Sequence, residues 1–129
     1  MTLGGLPARA ARMLHTVPSV GLRFTLPDGD LTYTSDTQSV EEIERLGAGS
    51  KTLITECTFP YRALDAARTS RHMTALEAGQ RASACGARTL ALVHLGLGPD
   101  FTPEDIRAEV AQAFSGRVLV PADGDELEV

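Results

Sequence analysis

The alternation of apolar and polar residues in the first third of the chain predicts a pair of strands. The sequence SVGLRFTLPDGDLTYTSDTQ, residues 19–38, alternates on both sides of the segment PDGD at residues 27–30, which is typical of a turn. Side chains that point to opposite faces at successive residues indicate strands with one buried face. We therefore predict a hairpin in which residues 20–26 pair with residues 30–34.

Capping boxes predict the starts of two helices. Ser39, followed three residues later by Glu42, predicts a short helix with the sequence VEEIERLG. Thr74 and Glu77 have the same spacing and predict a helix over residues 75–84. In each box the hydroxyl of the first residue accepts a hydrogen bond from a backbone N–H that the helix leaves without a partner.

A third helix is predicted in the sequence TPEDIRAEVAQAFSG. Thr102 suits the N-cap, and Pro103 suits the first helical position, where its missing N–H removes no hydrogen bond. Glu104 and Asp105 follow in the first turn, where negative charge interacts favourably with the helix dipole. The helix is predicted to close at Gly116.

Apolar runs predict the remaining strands. KTLITECTF at residues 51–59 and RTLALVHLG at residues 88–96 are typical of buried strands. RVLV at residues 117–120 and DELEV at residues 125–129 predict two short final strands. Strands and helices alternate from residue 39 onward, so the predicted class is α/β or α+β with a layered sheet.

Two segments lack a regular pattern. Residues 60–71 are polar and rich in arginine, with proline at their head, and we predict a loop with one helical turn. Residues 1–12 are expected to be disordered. A single domain over residues 1–129 is predicted, because this length can bury one sizeable core but is short for two.

Composition and charge argue against some classes of function. Of the 129 residues, 43% are apolar and 22% are charged, as in ordinary globular proteins. The net charge of −5 at pH 7 argues against a protein that binds nucleic acid by general phosphate attraction, since that requires a basic surface. An RNA substrate would need a local basic patch.

The cysteines and the hydropathy of the sequence predict the cellular compartment of the protein. Cys57 and Cys85 form no C-x-x-C pair, so we predict two buried thiols in a reducing environment. No apolar run reaches the roughly 18 residues that a bilayer span needs. The start MTLGGLPARAARML also lacks the apolar middle of a signal peptide. We expect a cytoplasmic protein without a membrane partner.

Three histidines and one aspartate are the candidates for chemistry. His15, His72 and His94 each lie at the boundary of a predicted element. Asp36 follows the strand-like segment LTYTSD. Strand ends aim their side chains rigidly, as a metal site requires, and α/β folds commonly bind ligands there. Position alone leaves two alternatives open: functional groups, or structural histidines and a turn aspartate.

Four segments of the chain, taken in order, resemble a known family. The segments are LHTVPSVGLRF, GDLTYTSDTQSVEEIERLGAGSKTLITECTF, RHMTALEAGQRASACGARTLALVHLG and FSGRVLVPADGDELEV. Together they are similar to the C-terminal half of metallo-β-lactamase-fold hydrolases, in particular ribonuclease Z and related phosphodiesterases that act on cyclic nucleotides and similar phosphate esters. The resemblance covers about residues 12–129. It implies half of an αββα sandwich, with a mixed sheet and helices on one face.

The resemblance implies a role for each candidate residue in a site with two zinc ions. His15 matches the histidine that binds one zinc, His94 the histidine on the second, and Asp36 the aspartate that bridges both. His72 matches a histidine that binds no metal and assists proton transfer to the leaving oxygen. Glu56 is a candidate for orienting His72 or another ligand, and the alternative is a surface carboxylate at a strand end.

The sequence departs from this family in ways that bear on activity. The family carries an upstream H-x-H-x-D-H motif with four further ligands, and the sequence contains no H-x-H. Neither zinc would then have more than two protein ligands, whereas zinc normally takes three or four. We therefore predict that this chain alone binds metal poorly and hydrolyses little. Ser35 precedes Asp36 where the family usually has glycine.

Several functions and partners remain open. The first is a zinc-dependent hydrolase of phosphodiester bonds that is active only with a complementary N-terminal half. The alternative is a non-catalytic remnant or interaction module that keeps the fold, and an unrelated α/β binding domain with structural histidines is third. A half sandwich exposes one apolar face, so the chain is expected to form a homodimer or to pair with the complementary half. The short turn at residues 27–30 and the acidic balance favour a small anionic phosphodiester over transfer RNA.

Overall fold

A computed structural model describes residues 1–128, and over these residues the chain forms one seven-stranded sheet. The strands lie side by side in the order of the sequence. They are β1 (Thr2–Leu3), β2 (Leu6–Met13), β3 (Ser19–Phe24), β4 (Leu31–Tyr33), β5 (Thr52–Cys57), β6 (Thr89–Leu95) and β7 (Arg117–Leu119).

The sheet is mixed, and the direction of its strands determines where the candidate residues lie. Strands β1 to β4 pair antiparallel, and β4 to β7 pair parallel. Since β2 and β4 are both antiparallel to β3, β2 runs in the same direction as β4, β5, β6 and β7. The carboxyl ends of these five strands therefore share one edge of the sheet, which we call the carboxyl edge.

Helices connect the parallel strands and cover one face of the sheet, as predicted. Crossovers between sequential parallel strands are nearly always right-handed, so successive helices fall on the same face. Their apolar side chains pack with Leu53, Leu90 and Leu92, which are fully buried. The helices described are α1 (Glu41–Gly47), α2 (Leu64–Ser70), α3 (Ala75–Cys85) and α4 (Pro103–Val110), and a 3-10 turn (Tyr61–Ala63) precedes α2.

The opposite face of the sheet carries no helix among residues 1–128. Side chains alternate along β5, so the neighbours of buried Leu53 point to this other face. Several of its side chains, such as Tyr33 and Ile54, are only partly buried. We call this surface the open sheet face, and one row of cross-strand partners on it is Leu22, Tyr33, Ile54, Ala91 and Leu119.

Local sequence signals located several elements correctly. The predicted hairpin is formed by β3 and β4, with Leu22 opposite Tyr33 and Phe24 opposite Leu31. The hydroxyl of Thr74 accepts the Glu77 N–H, and the Glu77 side chain bonds back to the Thr74 N–H, completing the predicted capping box. The third helix starts at its predicted N-cap but ends at Val110, before the predicted end.

The predicted capping box at Ser39 is wrong. Helix α1 has Val40 as its N-cap, and no side chain caps it. The Ser39 hydroxyl instead accepts a hydrogen bond of 2.8 Å from Arg81 Nε of helix α3. A tertiary contact therefore uses the group that the local pattern assigned to the helix end.

Three further segments differ from their predictions. Residues 60–71, expected to be a loop with one turn, contain the 3-10 turn and helix α2. Residues 1–12, expected to be disordered, contain β1 and most of β2, because β2 pairs with β3 over six residue pairs from Ala8 to Met13. Residues 125–128 of the predicted strand DELEV form no strand, and Val129 lies outside the described residues.

Both cysteines are free and buried, as predicted. Burial raises the pKa of the Cys57 thiol and raises that of Cys85 to about 11. Both side chains are therefore neutral thiols near pH 7 and pack as small apolar groups. Among the described residues, no helix is long and apolar enough to cross a bilayer.

Candidate active site

Three histidines meet at the carboxyl edge of the sheet. His15 follows β2, His72 lies between α2 and α3, and His94 is in the last part of β6. The ring of His72 lies between the other two, with its centroid 4.7 Å from that of His15 and 5.1 Å from that of His94. Residues far apart in sequence thus form one imidazole cluster.

Asp36 joins this cluster from the end of β4. Its Oδ2 lies 3.6 Å from Nε2 of His94. That distance is too long for a hydrogen bond, so neither atom is the other's hydrogen-bond partner. The backbone of Asp36 is held separately, since its carbonyl accepts a 2.7 Å hydrogen bond from the Ser19 hydroxyl.

Glu56 is a buried carboxylate beneath the histidines, which excludes the surface alternative. Its side chain is 0% exposed. Oε1 accepts hydrogen bonds of 2.7 Å from Nδ1 of His72 and from the backbone N–H of Thr37. Oε2 accepts bonds of 2.9 Å from the Thr58 hydroxyl and 3.0 Å from the backbone N–H of Met73. Four donors therefore fix the orientation of this carboxylate.

Thr58 connects the buried carboxylate to His94, a role that was not predicted from the sequence. Its Oγ1 lies 2.8 Å from Nδ1 of His94 and 3.3 Å from Nδ1 of His72. The signal available in the sequence was its spacing, because a residue two positions after Glu56 in an extended chain points to the same side.

Arg71 makes two contacts with His15 that were not predicted from the sequence. Its backbone carbonyl lies 3.1 Å from Nδ1 of His15, and its guanidinium donates a 3.1 Å hydrogen bond to the His15 carbonyl. In all three histidines Nδ1 contacts another group of the chain. Nε2 of His15 lies 3.5 Å from the Thr16 hydroxyl, at the limit of a hydrogen bond.

Three residues with left-handed backbone conformation surround the cluster. They are Ser35, Arg71 and His94, with φ of 60°, 58° and 51°. Non-glycine residues seldom adopt this conformation, and it is enriched at functional sites. The value at Ser35 explains why glycine would suit this position next to Asp36.

The chain is similar in sequence to parts of known proteins. No family model matches the chain. Ribonuclease Z of Halorubrum lacusprofundi is 37% identical over 103 residues, which cover 80% of this chain and 33% of the relative. The probable metallo-hydrolase YhfI of Bacillus subtilis is 30% identical over 125 residues, which cover 96% of this chain and 49% of the relative.

Solved structures with a similar fold include one of these relatives. The metallo-β-lactamase-fold protein YhfI from Bacillus subtilis superposes with a TM-score of 0.85 at 28% identity, covering 97% of this chain and 50% of that one. The chain is homologous to part of the metallo-β-lactamase-fold hydrolases. The short form of human tRNase Z has the same fold, with a TM-score of 0.66 at 24% identity over 74% of this chain and 38% of that one. The chain spans about a third to a half of the length of its curated relatives.

Glu56, with His72 and His94, belongs to a group of side chains close enough together to hold a metal ion. One donor atom each from Glu56, His72 and His94 lies within 4.8 Å of the others. Both oxygens of Glu56 already accept two hydrogen bonds each, one of them from His72. Glu56 is therefore better suited to orienting imidazoles than to binding an ion.

Two clefts open beside the histidines. One, of about 590 Å³, adjoins His15 and is lined by Arg12, Arg71 and Glu42 as well as by apolar residues. The other, of about 810 Å³, adjoins His94 and is lined by residues 121–125. Each has a volume in the range of small-molecule binding sites.

Proposed function

We propose that the chain supplies part of the site of a zinc-dependent hydrolase of phosphodiester bonds. His15, Asp36 and His94 bind metal, His72 is the catalytic acid, and Glu56 orients it. The observation that carries this proposal is the meeting of three imidazoles at the carboxyl edge, with Asp36 beside His94.

The donor set fits the proposed metal. Zinc is bound in proteins by imidazole nitrogen and carboxylate oxygen. Nδ1 of His94 contacts Thr58, and Nδ1 of His15 contacts Arg71, so Nε2 is the nitrogen that each histidine can offer. Such hydrogen bonds from the second ring nitrogen are usual for metal-binding histidines. Two zinc ions would supply Lewis-acid stabilisation of the charge on a phosphodiester.

His72 and Glu56 form the proton-transfer pair of the proposal. The 2.7 Å bond to Glu56 Oε1 holds the proton on Nδ1 of His72, which leaves Nε2 to carry the second, transferable proton. Imidazole exchanges protons near neutral pH, as an acid that protonates a leaving oxygen requires.

In this proposal the chain supplies too few ligands to complete the zinc site by itself. With Asp36 shared, His15 and His94 give each zinc at most two ligands from this chain. Catalytic zinc sites typically have three protein ligands and one open position. Further ligands would therefore come from outside the described residues.

The open sheet face supports a complementary half as the source of those ligands. Its apolar side chains, including Tyr33 and Ile54, are only partly buried, and exposed apolar surface commonly marks an interaction site. The chain covers about half of YhfI, so a second half is available in such relatives. A homodimer would cover the same face but would add only copies of the same ligands.

The proposed substrate is a small anionic phosphodiester in a cytoplasmic enzyme. Arg12 and Arg71 lie beside His15 and can bind phosphate oxygens. The relatives named ribonuclease Z make RNA the second candidate. With a net charge of −5, RNA would have to contact such local arginines.

Zinc content tests the incomplete site. We expect the purified chain to retain close to zero zinc after equilibration with zinc and desalting, measured by plasma mass spectrometry. Addition of the complementary half of a related hydrolase, as a separate chain, should raise the content to about two ions per pair. Two ions on the chain alone would contradict the incomplete site. No zinc on the pair would contradict the proposed function and favour the non-catalytic alternative.

Substitution of His72 tests its role in the same two-part enzyme. His72→Ala should lower the rate of bis(p-nitrophenyl) phosphate hydrolysis about 10²- to 10⁴-fold, because the leaving oxygen loses its acid. The zinc content should not change. His15→Ala is the matched comparison and should lose zinc. Loss of zinc in His72→Ala would show that His72 is a metal ligand instead.

A further inference from the structure

We propose that Thr58 is a positioning residue whose hydroxyl sets the tautomer of His94. In this proposal the hydroxyl accepts the Nδ1–H of His94 and so leaves Nε2 unprotonated beside Asp36. The tautomer follows from the hydrogen bonds of this chain alone. Its consequence for metal binding rests on the function proposed above.

The first step is the direction of the hydrogen bonds at Thr58. Its Oγ1 lies 2.8 Å from His94 Nδ1, 2.9 Å from Glu56 Oε2 and 3.3 Å from His72 Nδ1, and 3.2 Å from the His94 carbonyl. A hydroxyl has one proton to donate and two lone pairs with which to accept. The two oxygens can only accept, so they compete for that proton.

The carboxylate is the stronger competitor for the proton. Hydrogen bonds to an ionised acceptor are roughly twice as strong as those between neutral groups. The Glu56 side chain is 0% exposed, so water does not supply a substitute donor. Once the proton points to Glu56, only the lone pairs of Oγ1 face His94. Nδ1 at 2.8 Å must then be the donor.

The second step concerns the other ring nitrogen. A neutral imidazole carries one proton, so a proton on Nδ1 leaves a lone pair on Nε2. That nitrogen lies 3.6 Å from Asp36 Oδ2, where the carboxylate offers no proton in its ionised form. Thr58 therefore presents the metal-binding nitrogen of His94 in its ligating form.

The third step is that the tautomer of His94 depends on Thr58, whereas the tautomer of His72 depends on Glu56. His72 donates directly to Glu56 at 2.7 Å, and its contact with Thr58 is longer at 3.3 Å. Removing the hydroxyl should therefore release the tautomer of His94 and leave that of His72 unchanged. A general loss of structure would disturb both histidines.

Nuclear magnetic resonance of the chain alone tests the tautomer. Long-range ¹⁵N–¹H spectra at a fixed, mildly alkaline pH distinguish Nδ1–H from Nε2–H in each histidine. We expect Nδ1–H for His94 in the wild type and in Thr58→Ser, and a mixture of tautomers in Thr58→Val. Thr32→Val is the matched control, because it removes a buried hydroxyl that bonds Ser50 instead of a histidine. It should leave the His94 spectrum unchanged.

Zinc affinity of the two-part enzyme tests the consequence. Thr58→Val should weaken zinc binding by about 10- to 100-fold, as loss of a partner of a metal-binding histidine usually does, and Thr58→Ser should restore it. Nε2–H in wild-type His94, or an unchanged tautomer in Thr58→Val, would overturn the proposal. An altered tautomer with unchanged zinc affinity would overturn its metal-binding part. If the wild-type pair bound no zinc, the proposed function would fail while the tautomer result stood.

Discussion

Replacing Gly96 with alanine should destabilise the protein by about 1–3 kcal/mol, because the new methyl group has no room. A Cβ at Gly96 would lie 2.0 Å from the carbonyl oxygen of Thr58 and 3.1 Å from its carbonyl carbon. Both atoms are backbone, so a rotamer change cannot relieve the overlap. Urea unfolding followed by circular dichroism would measure the loss as a lower midpoint.

The same substitution should also disturb the histidine cluster. Thr58 can escape the overlap only by moving its backbone, which moves the hydroxyl that contacts His94. Gly98→Ala is the matched control two residues away, since a Cβ there would meet nothing within 4 Å. It should change stability by less than about 0.5 kcal/mol. Equal midpoints for the two variants would contradict the steric explanation.

Replacing Glu56 with alanine should cost about 3–5 kcal/mol of unfolding free energy. The change leaves four donors without their acceptor, and each buried donor that finds no other partner costs about 1–3 kcal/mol. The hydroxyl of Thr58 can turn to the His94 carbonyl. Two of them are backbone N–H groups, of Thr37 and Met73, which cannot turn elsewhere. Chemical unfolding monitored by circular dichroism would give the value.

A second variant separates charge from hydrogen bonding at this position. Glu56→Gln keeps one accepting oxygen but turns an NH₂ group toward donors, so we expect a smaller loss of about 2–3 kcal/mol. Glu41→Gln is the control, because Glu41 is an exposed carboxylate paired with Arg45 on the helix surface, and it should have little effect. A loss in Glu56→Ala no larger than that of the control would show that water replaces the carboxylate.

The elements that could be predicted from the sequence are those with a complete local signal. The hairpin of β3 and β4 has alternation and turn residues within one short segment, and the Thr74–Glu77 box has both of its partners within one helical turn. The structure agrees with both. Such signals succeed because the interacting groups are close in sequence.

The elements that were missed depend on distant partners. Strand β2 has the sequence LPARAARM, in which proline and alanine do not favour a strand. It becomes one because a partner is available in β3. Ser39 had a complete capping signal, but Arg81 of another helix takes its hydroxyl. In both cases tertiary contacts override local preference.

The candidate site was predicted in part, through a resemblance. His15, Asp36, His72 and His94 were named from motifs, and the structure brings them to one edge of the sheet, while their roles remain predictions. Their meeting depends on β2, β4 and β6 running in the same direction, which strand patterns alone do not reveal. The spacing of Thr58 from Glu56 was a usable signal for their contact. The contacts of Thr58 with His94 and of Arg71 with His15 could not be predicted, because they join different segments of the chain.

The spread of the cluster along the chain has a consequence for folding. His15 and Arg71, which contact each other, are 56 residues apart, and Thr58 and His94 are 36 apart. Closing loops of this size costs chain entropy before the contacts return any energy, so long-range contacts are slow to form. We expect the imidazoles to come together after the neighbouring strands have paired. A chain arrested on the way would then have most of its secondary structure and no histidine cluster.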